Sequence, residues 1–180
     1  MDRGMMYNDL TQKQAKEMFD YVDGQLFWKN RLDMPQKWNT KWAGEKAGTI
    51  SNDRKTVGVN NKRFQFHRIV WVIFNGEIPP NTQIDHINGN ALDNRIENLR
   101  LATHSENARN SKISKNNFSG YKNVSWDEFC QLWLVSLYAN GKSIRKRFKD
   151  LDKAVEFAKV KRMELHGQFA NHGQHLAEAA

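Results

Sequence analysis

Asp85 and His86 stand side by side, Asn98 follows twelve residues after His86, and Asn107 nine after that, all within QIDHINGNALDNRIENLRLATHSENARNSK. A carboxylate, an imidazole and two amides at these spacings suit a small strand–loop–strand–helix unit. Such a unit can hold one divalent cation and one general base against a phosphate. Hydrolysing a phosphodiester requires an activated water and stabilisation of the charge that builds on phosphorus and on the leaving oxygen. A hard divalent cation with oxygen ligands meets the second need, and the Asp85 carboxylate and Asn107 amide oxygen are suitable ligands. An imidazole with an ordinary pKa near ~6.5 is available in neutral form to take a proton from water. The same residues also have structural uses, since an Asp-His pair can sit on a surface turn and Asn-rich loops are ordinary turn chemistry.

The elements that must position these groups are readable nearby. Residues 83–87 predict a short strand, Asn88-Gly89-Asn90 a tight turn, and residues 99–102 a second strand. Thr103 and Glu106 form a T-x-x-E capping box that starts a helix at His104, with Asn107 near the end of its first turn. Asp85 and His86 point to opposite sides of an ideal strand, so they share a site only where the strand ends or twists. His104 lies three residues before Asn107 on the same helix face; it is a ligand, a phosphate contact or a solvated first-turn residue. Upstream, residues 10–22 carry an amphipathic helix pattern closed by Asp23-Gly24, and residues 25–29 read as a strand. Residues 40–66 contain short β runs with turns at Gly48, Asn52-Asp53 and Asn60-Asn61. Alternation in Arg63-Phe64-Gln65-Phe66-His67 places two Phe on one face. Residues 69–74 predict a buried helix that ends before Gly76, with His67 and Arg68 at its start.

The stretch from Asp85 to Asn107 resembles the HNH endonuclease family, in the branch whose last His is replaced by Asn and which is common in phage and intron-borne homing endonucleases. His86, Asn98 and Asn107 take the three named positions, and an HR-then-apolar segment extends the resemblance upstream to about residue 63. The resemblance implies a ββα-metal core at about 83–110, with Asp85 and Asn107 as ligands of Mg²⁺ (or Mn²⁺). It makes His86 the general base and Asn98 a residue that hydrogen-bonds loop backbone and keeps His86 aimed. The implied products carry 5′-phosphate and 3′-hydroxyl ends. His67 stands as a secondary candidate, either touching substrate or packing.

Composition points to a nucleic-acid partner. The 180 residues carry a net charge of +8 and a pI near 9.6. There is no signal-peptide pattern at Met1-Asp2-Arg3 and no run near the ~20 apolar residues of a membrane span, so no membrane partner is expected. A cytoplasmic location follows, that of the host cell if the protein is phage-encoded. One cysteine, Cys130, excludes an intrachain disulfide or a Cys-rich zinc site. The charge is uneven: residues 109–149 are net +7, against +2 before them and −1 after. That distribution suits a chain that tracks a phosphate backbone away from the cutting site.

After residue 110 the sequence changes character. Residues 111–120, SKISKNNFSG, read as a basic linker whose Lys112 and Lys115 can lie along DNA. Residues 121–140 hold two strand candidates separated by Asp127-Glu128. Asn140-Gly141 is a hairpin turn signal, and residues 143–148 form a third strand. Asp150 or Asp152 then caps a helix reaching about His166-Gly167. G-Y-K-N-V-S-W at 120–126, the Trp133 strand, the basic strand ending at Phe148 and the Ala-bearing helix together resemble the AP2 DNA-binding domain. In that family the outer face of the sheet lies in the major groove. Trp133, Val135 and Leu137 are assigned to the helix-packed core; Ser136 and Tyr138 to DNA, with Lys122, Trp126, Lys142 and Lys146 as companions. A register error of one residue exchanges Lys146 for Arg145 and Arg147.

The expected protein is an α+β chain of two modules: a scaffold and ββα-metal (HNH) unit at 1–110, then an AP2-like three-stranded antiparallel sheet plus helix at 121–170 and a tail at 171–180. It is expected to cut double-stranded DNA as a monomer or homodimer, nicking one strand per monomer. The alternatives are a non-cutting DNA-binding regulator on a decayed nuclease scaffold, or an RNA-binding protein that stacks Trp126 and Tyr138 on unpaired bases.

Overall fold

The computed structural model describes residues 10–110, 113, 116–139 and 141–172, and the chain divides into two compact units between His104 and Ser105. The first unit opens with α1 (Gln12–Met18), started by a reciprocal capping box between Thr11 and Gln14. The helix pattern expected to run to Val22 stops at Met18, because Phe19–Val22 is a strand, β1, paired antiparallel with β2 (Gln25–Trp28). Asp23 and Gly24 both adopt positive φ, 40° and 74°, the conformation of a two-residue hairpin turn. Asp-Gly therefore folds the chain back into a ribbon instead of ending a helix.

A second helix, α2 (Gln36–Trp42), follows Pro35 and was not anticipated from the sequence. Pro35 at its N-cap and Trp38 and Trp42 one turn apart are its local signals. Strands β3 (Thr49–Ser51), β4 (Arg54–Val59) and β5 (Lys62–Gln65) form an antiparallel meander. Its turns at Asn52-Asp53 and Asn60-Asn61 again carry positive φ at both positions. The alternation read over 63–67 is strand only as far as Gln65, since α3 (Phe66–Asn75) starts at Phe66, one residue before the expected start at His67. Phe66, Ile69, Val70 and Val72 on this helix are buried with Phe19, Leu26, Val57, Ile84 and Leu99 in one core. Full burial of a side chain such as Phe66 contributes about 1.5–3 kcal/mol. Strands β6 (Thr82–His86) and β7 (Leu99–Thr103) pair antiparallel, and α4 (His104–Arg109) follows β7 directly.

In the second unit β8 (Val124–Asp127), β9 (Leu132–Ala139) and β10 (Lys142–Phe148) make a three-stranded antiparallel sheet with β9 in the centre. Helix α5 (Leu151–His166) is capped by Asp150, whose side chain accepts from the Lys153 N–H. It packs Ala154, Val155 and Ala158 against Val124, Val135 and Leu137. No described helix is long and apolar enough to cross a membrane.

Candidate active site

Asp85 and His86 are the last two residues of β6, and both are buried, at 4% and 9% exposure. The pairing sets them on alternate faces. His86 lies opposite Leu99 and shares the core side with Ile84, while Asp85 lies opposite Arg100. The Asp85 Oδ2 accepts from Arg100 Nε at 2.8 Å and Nη2 at 2.7 Å, so a buried carboxylate is balanced by a nearly buried guanidinium. Arg100 was not among the residues singled out in the sequence, although cross-strand pairing with Asp85 is its signal.

His86 is held from two sides. Its Nε2 lies 3.2 Å from Oδ1 of Asn94, a residue only 2% exposed. The Asn94 Nδ2 donates to the Leu92 carbonyl at 3.1 Å, which fixes the amide orientation and makes Oδ1 the atom facing the ring. An amide oxygen accepts only, so His86 carries its proton on Nε2 and its lone pair on Nδ1. Burial lowers the His86 pKa, an effect partly offset by the Asn94 hydrogen bond and by Asp85 and Asp93. The His67 ring, brought in by α3, meets the His86 ring edge-on at 5.1 Å. Desolvation, with the neighbouring His86, Arg68 and Arg54, pushes His67 down to about 3. At neutral pH both imidazoles are therefore uncharged, and His67 packs against His86.

Asn98 ties the loop that follows β6. Its Oδ1 accepts from the Asn88 N–H at 3.0 Å, its Nδ2 donates to the Asp93 carbonyl at 2.8 Å and to Asn88 Oδ1 at 3.0 Å, and its own carbonyl accepts from the Ile87 N–H. Asp93 adds a clamp to Arg95 (2.9 and 2.8 Å) and accepts from Asn88 Nδ2 at 2.7 Å. The Arg95 hydrogen bond is the main cause that brings the Asp93 carboxyl down to about 2. The N-terminal ribbon buttresses the same loop: Tyr21 Oη accepts from the Ile96 N–H at 3.1 Å. A Cβ at Gly24 would sit 3.1 Å from Arg95 and 3.3 Å from the Asn94 carbonyl carbon. Only glycine lets the β1–β2 turn approach the residue that orients His86.

Of the remaining candidates in this region, His104 opens α4, and its Nδ1 lies 3.4 Å from Gln83 Nε2. Asn107 lies on α4, in the second unit. Among the described residues no group of three or more His, Cys, Asp or Glu is arranged to hold a metal. The buried Asp85 carboxylate is an oxygen donor of the kind taken by a Mg²⁺ that keeps waters and binds phosphate oxygens.

The sheet of the second unit sorts the remaining candidates by face. Trp133, Val135 and Leu137 do face α5. Register pairs Ser143 with Tyr138, Arg145 with Ser136 and Arg147 with Leu134, so Arg145 and Arg147 share the outer face with Ser136 and Tyr138. Lys146 pairs with Val135 and lies on the helix side, its Nζ 4.8 Å from the Phe157 ring centroid. Its assignment to the outer face is thereby corrected. Trp126 is corrected likewise. It pairs with Trp133 and packs edge-on against it at 5.0 Å, because residues opposite each other in an antiparallel pair share a face. Lys122 is half-buried and donates to the Arg109 carbonyl at 2.7 Å; burial, with Arg162 nearby, lowers its pKa to about 8. It works inside the unit rather than on the outer sheet face. Tyr138 is 70% exposed, and Arg147 is paired with Asp127 at 2.9 Å. Lys142 lies opposite Ala139 in the backbone register. Lys112, Lys115 and Asn140 lie outside the described residues.

Residues 64–109 match the HNH endonuclease family. Protein 3.8 of Escherichia phage T7 is 44% identical over 104 residues, which cover 58% of this chain and 86% of that protein. The chain belongs to the family of Protein 3.8 and is an HNH endonuclease. A protein of Acanthamoeba polyphaga mimivirus, described as the uncharacterized HNH endonuclease L560, is 32% identical over 112 residues; the match spans 60% of this chain and just over half, 56%, of that one. A solved structure described as DNA binding and cleavage by the HNH homing endonuclease I-HmuI is a distant likeness, with 19% identity, a TM-score of 0.42, and coverage of 87% of this chain and 90% of that chain. The matched HNH segment begins at Phe64 and ends at Arg109, so it takes in α3 and His67 as well as the β6–β7 pair and α4.

Proposed function

We propose that this HNH endonuclease is of the homing type, requires a divalent metal, and hydrolyses phosphodiester bonds in double-stranded DNA, nicking one strand per monomer. The observation that carries the reading is the His86 imidazole, neutral and with its Nε2 proton directed to Asn94, next in sequence to a buried carboxylate. Its Nδ1 lone pair takes the proton of the attacking water as the water oxygen bonds to phosphorus. The bond from phosphorus to the 3′ oxygen then breaks and that oxygen takes a proton from solvent, giving 5′-phosphate and 3′-hydroxyl ends. Asn94 holds the ring in the tautomer this step needs, and Asn98 holds the loop that carries Asn94. Arg100 holds the Asp85 carboxylate in place through its Nε and Nη2. Asp85, with Asn107 as the sequence's second candidate, would hold Mg²⁺ or Mn²⁺, whose charge would stabilise the negative charge that develops on the phosphate oxygens.

The second unit, read as AP2-like, would lie on duplex DNA through the outer face of its sheet, with Arg145, Tyr138 and Ser136 as the contacts. The basic stretch around Lys112 and Lys115 would follow the backbone. The phage relative supports action in a host cell's cytoplasm. The test is cleavage of supercoiled plasmid with Mg²⁺ or Mn²⁺, using His86→Ala and EDTA as controls. Open-circle product that disappears in both controls supports the reading, and linear product points to a dimer. Duplex binding without any cleavage would make the chain a regulator built on a nuclease scaffold.

A further inference from the structure

The first unit contains a half-open groove of about 760 Å³, formed by α2, the segment before it and the open face of the β3–β4–β5 sheet. It shares no residue with the Asp85–His86 site. Trp38 and Trp42 are four apart on α2 and so lie on one side of it. Beneath them the Arg31 guanidinium lies 5.5 Å from the Trp38 centroid and 6.0 Å from that of Trp28. Asp33 fixes it there, with Arg31 Nε at 3.0 Å and Nη2 at 2.5 Å from the carboxylate. The result is a floor of Trp28 and Trp38 set edge to face around a buried, ion-paired guanidinium, with Trp42 38% exposed at the rim and the Lys41 Nζ 4.8 Å from its ring centroid.

The opposite wall is cationic. Lys46, Lys62 and Arg63 line the groove, and among the described residues no carboxylate does. Gly58 sits near the end of β4, the central strand of its sheet, opposite Arg63, and a Cβ there would meet nothing within 4 Å. The bare strand leaves the space in front of it open. A groove of this size falls within the roughly 300–1,000 Å³ of sites that enclose small molecules; it has room for a nucleotide or two and none for a duplex. Aromatic planes beside a line of cations are the arrangement that stacks unpaired bases and follows their phosphates. A duplex hides the base faces that such planes would contact.

We propose that this groove binds single-stranded DNA, with a base stacked at Trp42 and its phosphates against Lys46, Lys62 and Arg63. It would hold an unpaired stretch next to the duplex that the enzyme cuts. The inference deepens the reading of DNA as substrate. Its test is built to fail separately from that reading.

The experiment measures fluorescence anisotropy of a labelled dT oligonucleotide and of a labelled duplex on the full chain. Wild type is compared with Trp42→Ala and Gly58→Phe, and thermal melts check folding. Gly58→Phe fills the groove from a strand position where the added side chain meets open space. Both variants should weaken oligo-dT binding by roughly ten-fold or more, the scale of one lost base stack, with duplex binding within about two-fold of wild type. Folded variants that bind oligo-dT like wild type would overturn the proposal. So would equal losses on duplex and single strand, which would make the groove part of the duplex track. Polyglutamate that binds with the same sensitivity to Gly58→Phe would overturn it in favour of an acidic peptide. Variant-sensitive oligo-dT binding by a wild-type protein that cuts no plasmid would support the groove while removing the metal-dependent cleavage.

Discussion

Asn94→Leu isolates the contribution of the residue that orients His86. The side chain is 2% exposed and makes two hydrogen bonds, one to the His86 Nε2 and one to the Leu92 carbonyl. Leucine is close in volume and makes neither. A buried polar group left without a partner costs about 1–3 kcal/mol. The His86 ring is buried, whereas Leu92 is partly exposed and its carbonyl recovers part of its loss from water. The sum is about 2–3 kcal/mol. At about 4–8 °C per kcal/mol for a domain near this size, the melting temperature of the first unit should fall by roughly 10–20 °C. Activity should fall further than stability at 20 °C explains. Without an acceptor at Nε2 the proton can occupy either ring nitrogen and the ring can turn. A complete general base is worth about 10²–10⁴ in rate, so losing its orientation should cost roughly 10–100-fold in kcat. The assay is single-turnover plasmid nicking at saturating Mg²⁺, below the variant's melting transition, with His86→Ala as the floor. Asn94→Asp restores the acceptor and adds a negative charge beside the imidazole, so it should recover rate while moving the acid limb of the pH profile upward. A folded Asn94→Leu protein that nicks within about two-fold of wild type would refute the tautomer argument.

Other outcomes follow from the same contacts. Because burial lowers the His86 pKa, His86 stays an unprotonated base below the ordinary value of about 6.5, and the acid limb of the cleavage profile should have its midpoint under that value. His67, held near 3 in the fold, is protonated more readily in the unfolded chain. Its contribution to stability is complete above about pH 6.5 and is lost as pH falls toward 3, at no more than about 1.4 kcal/mol per pH unit; urea melts from pH 7 to 4 should show a slope that His67→Phe reduces. Arg100→Leu removes the guanidinium from the Asp85 carboxylate in a site where the two side chains are 13% and 5% exposed. It should cost about 3–5 kcal/mol, with part recovered by adding Asp85→Asn, as a double-mutant cycle in urea would read. On the second unit's sheet, Arg145→Ala should weaken duplex binding and lower the salt slope by about one. Arg147→Ala should change it less, because Asp127 already holds that guanidinium.

The Asp85–Asn107 segment was legible because its elements are local. Turn residues, a β pair of short separation and a helix start are all set by neighbours in sequence, and β6, β7 and α4 fall within one residue of where the pattern puts them. β10 and α5 fall equally close, whereas β8 starts three residues after Tyr121 and runs through Asp127, which was read as the break between strands; alternation still identified the helix-packed face of β9. Errors arose where a local signal had two solutions. Residues 10–22 fit a helix stripe, but Asp-Gly in positive φ with a partner strand at Gln25–Trp28 made a ribbon of their second half. Lys146 and Trp126 were misplaced because a face assignment depends on which residue lies opposite, and pairing register is a property of two strands.

The sequence by itself determined the kind of chemistry: a carboxylate, an imidazole and amides on adjacent short elements, in a chain whose excess positive charge is gathered in one stretch. Residue types and their spacing are enough for that, because they limit what can be ligated, deprotonated or neutralised. Only the tertiary structure decided how His86 is held. Asn94 against His86, His67 against the same ring, Arg100 on Asp85, and Gly24 beneath the Asn94–Arg95 backbone each join segments brought together by packing. Burial, which sets the protonation of both histidines, is likewise created only when α3 and the β6–β7 pair close on one core.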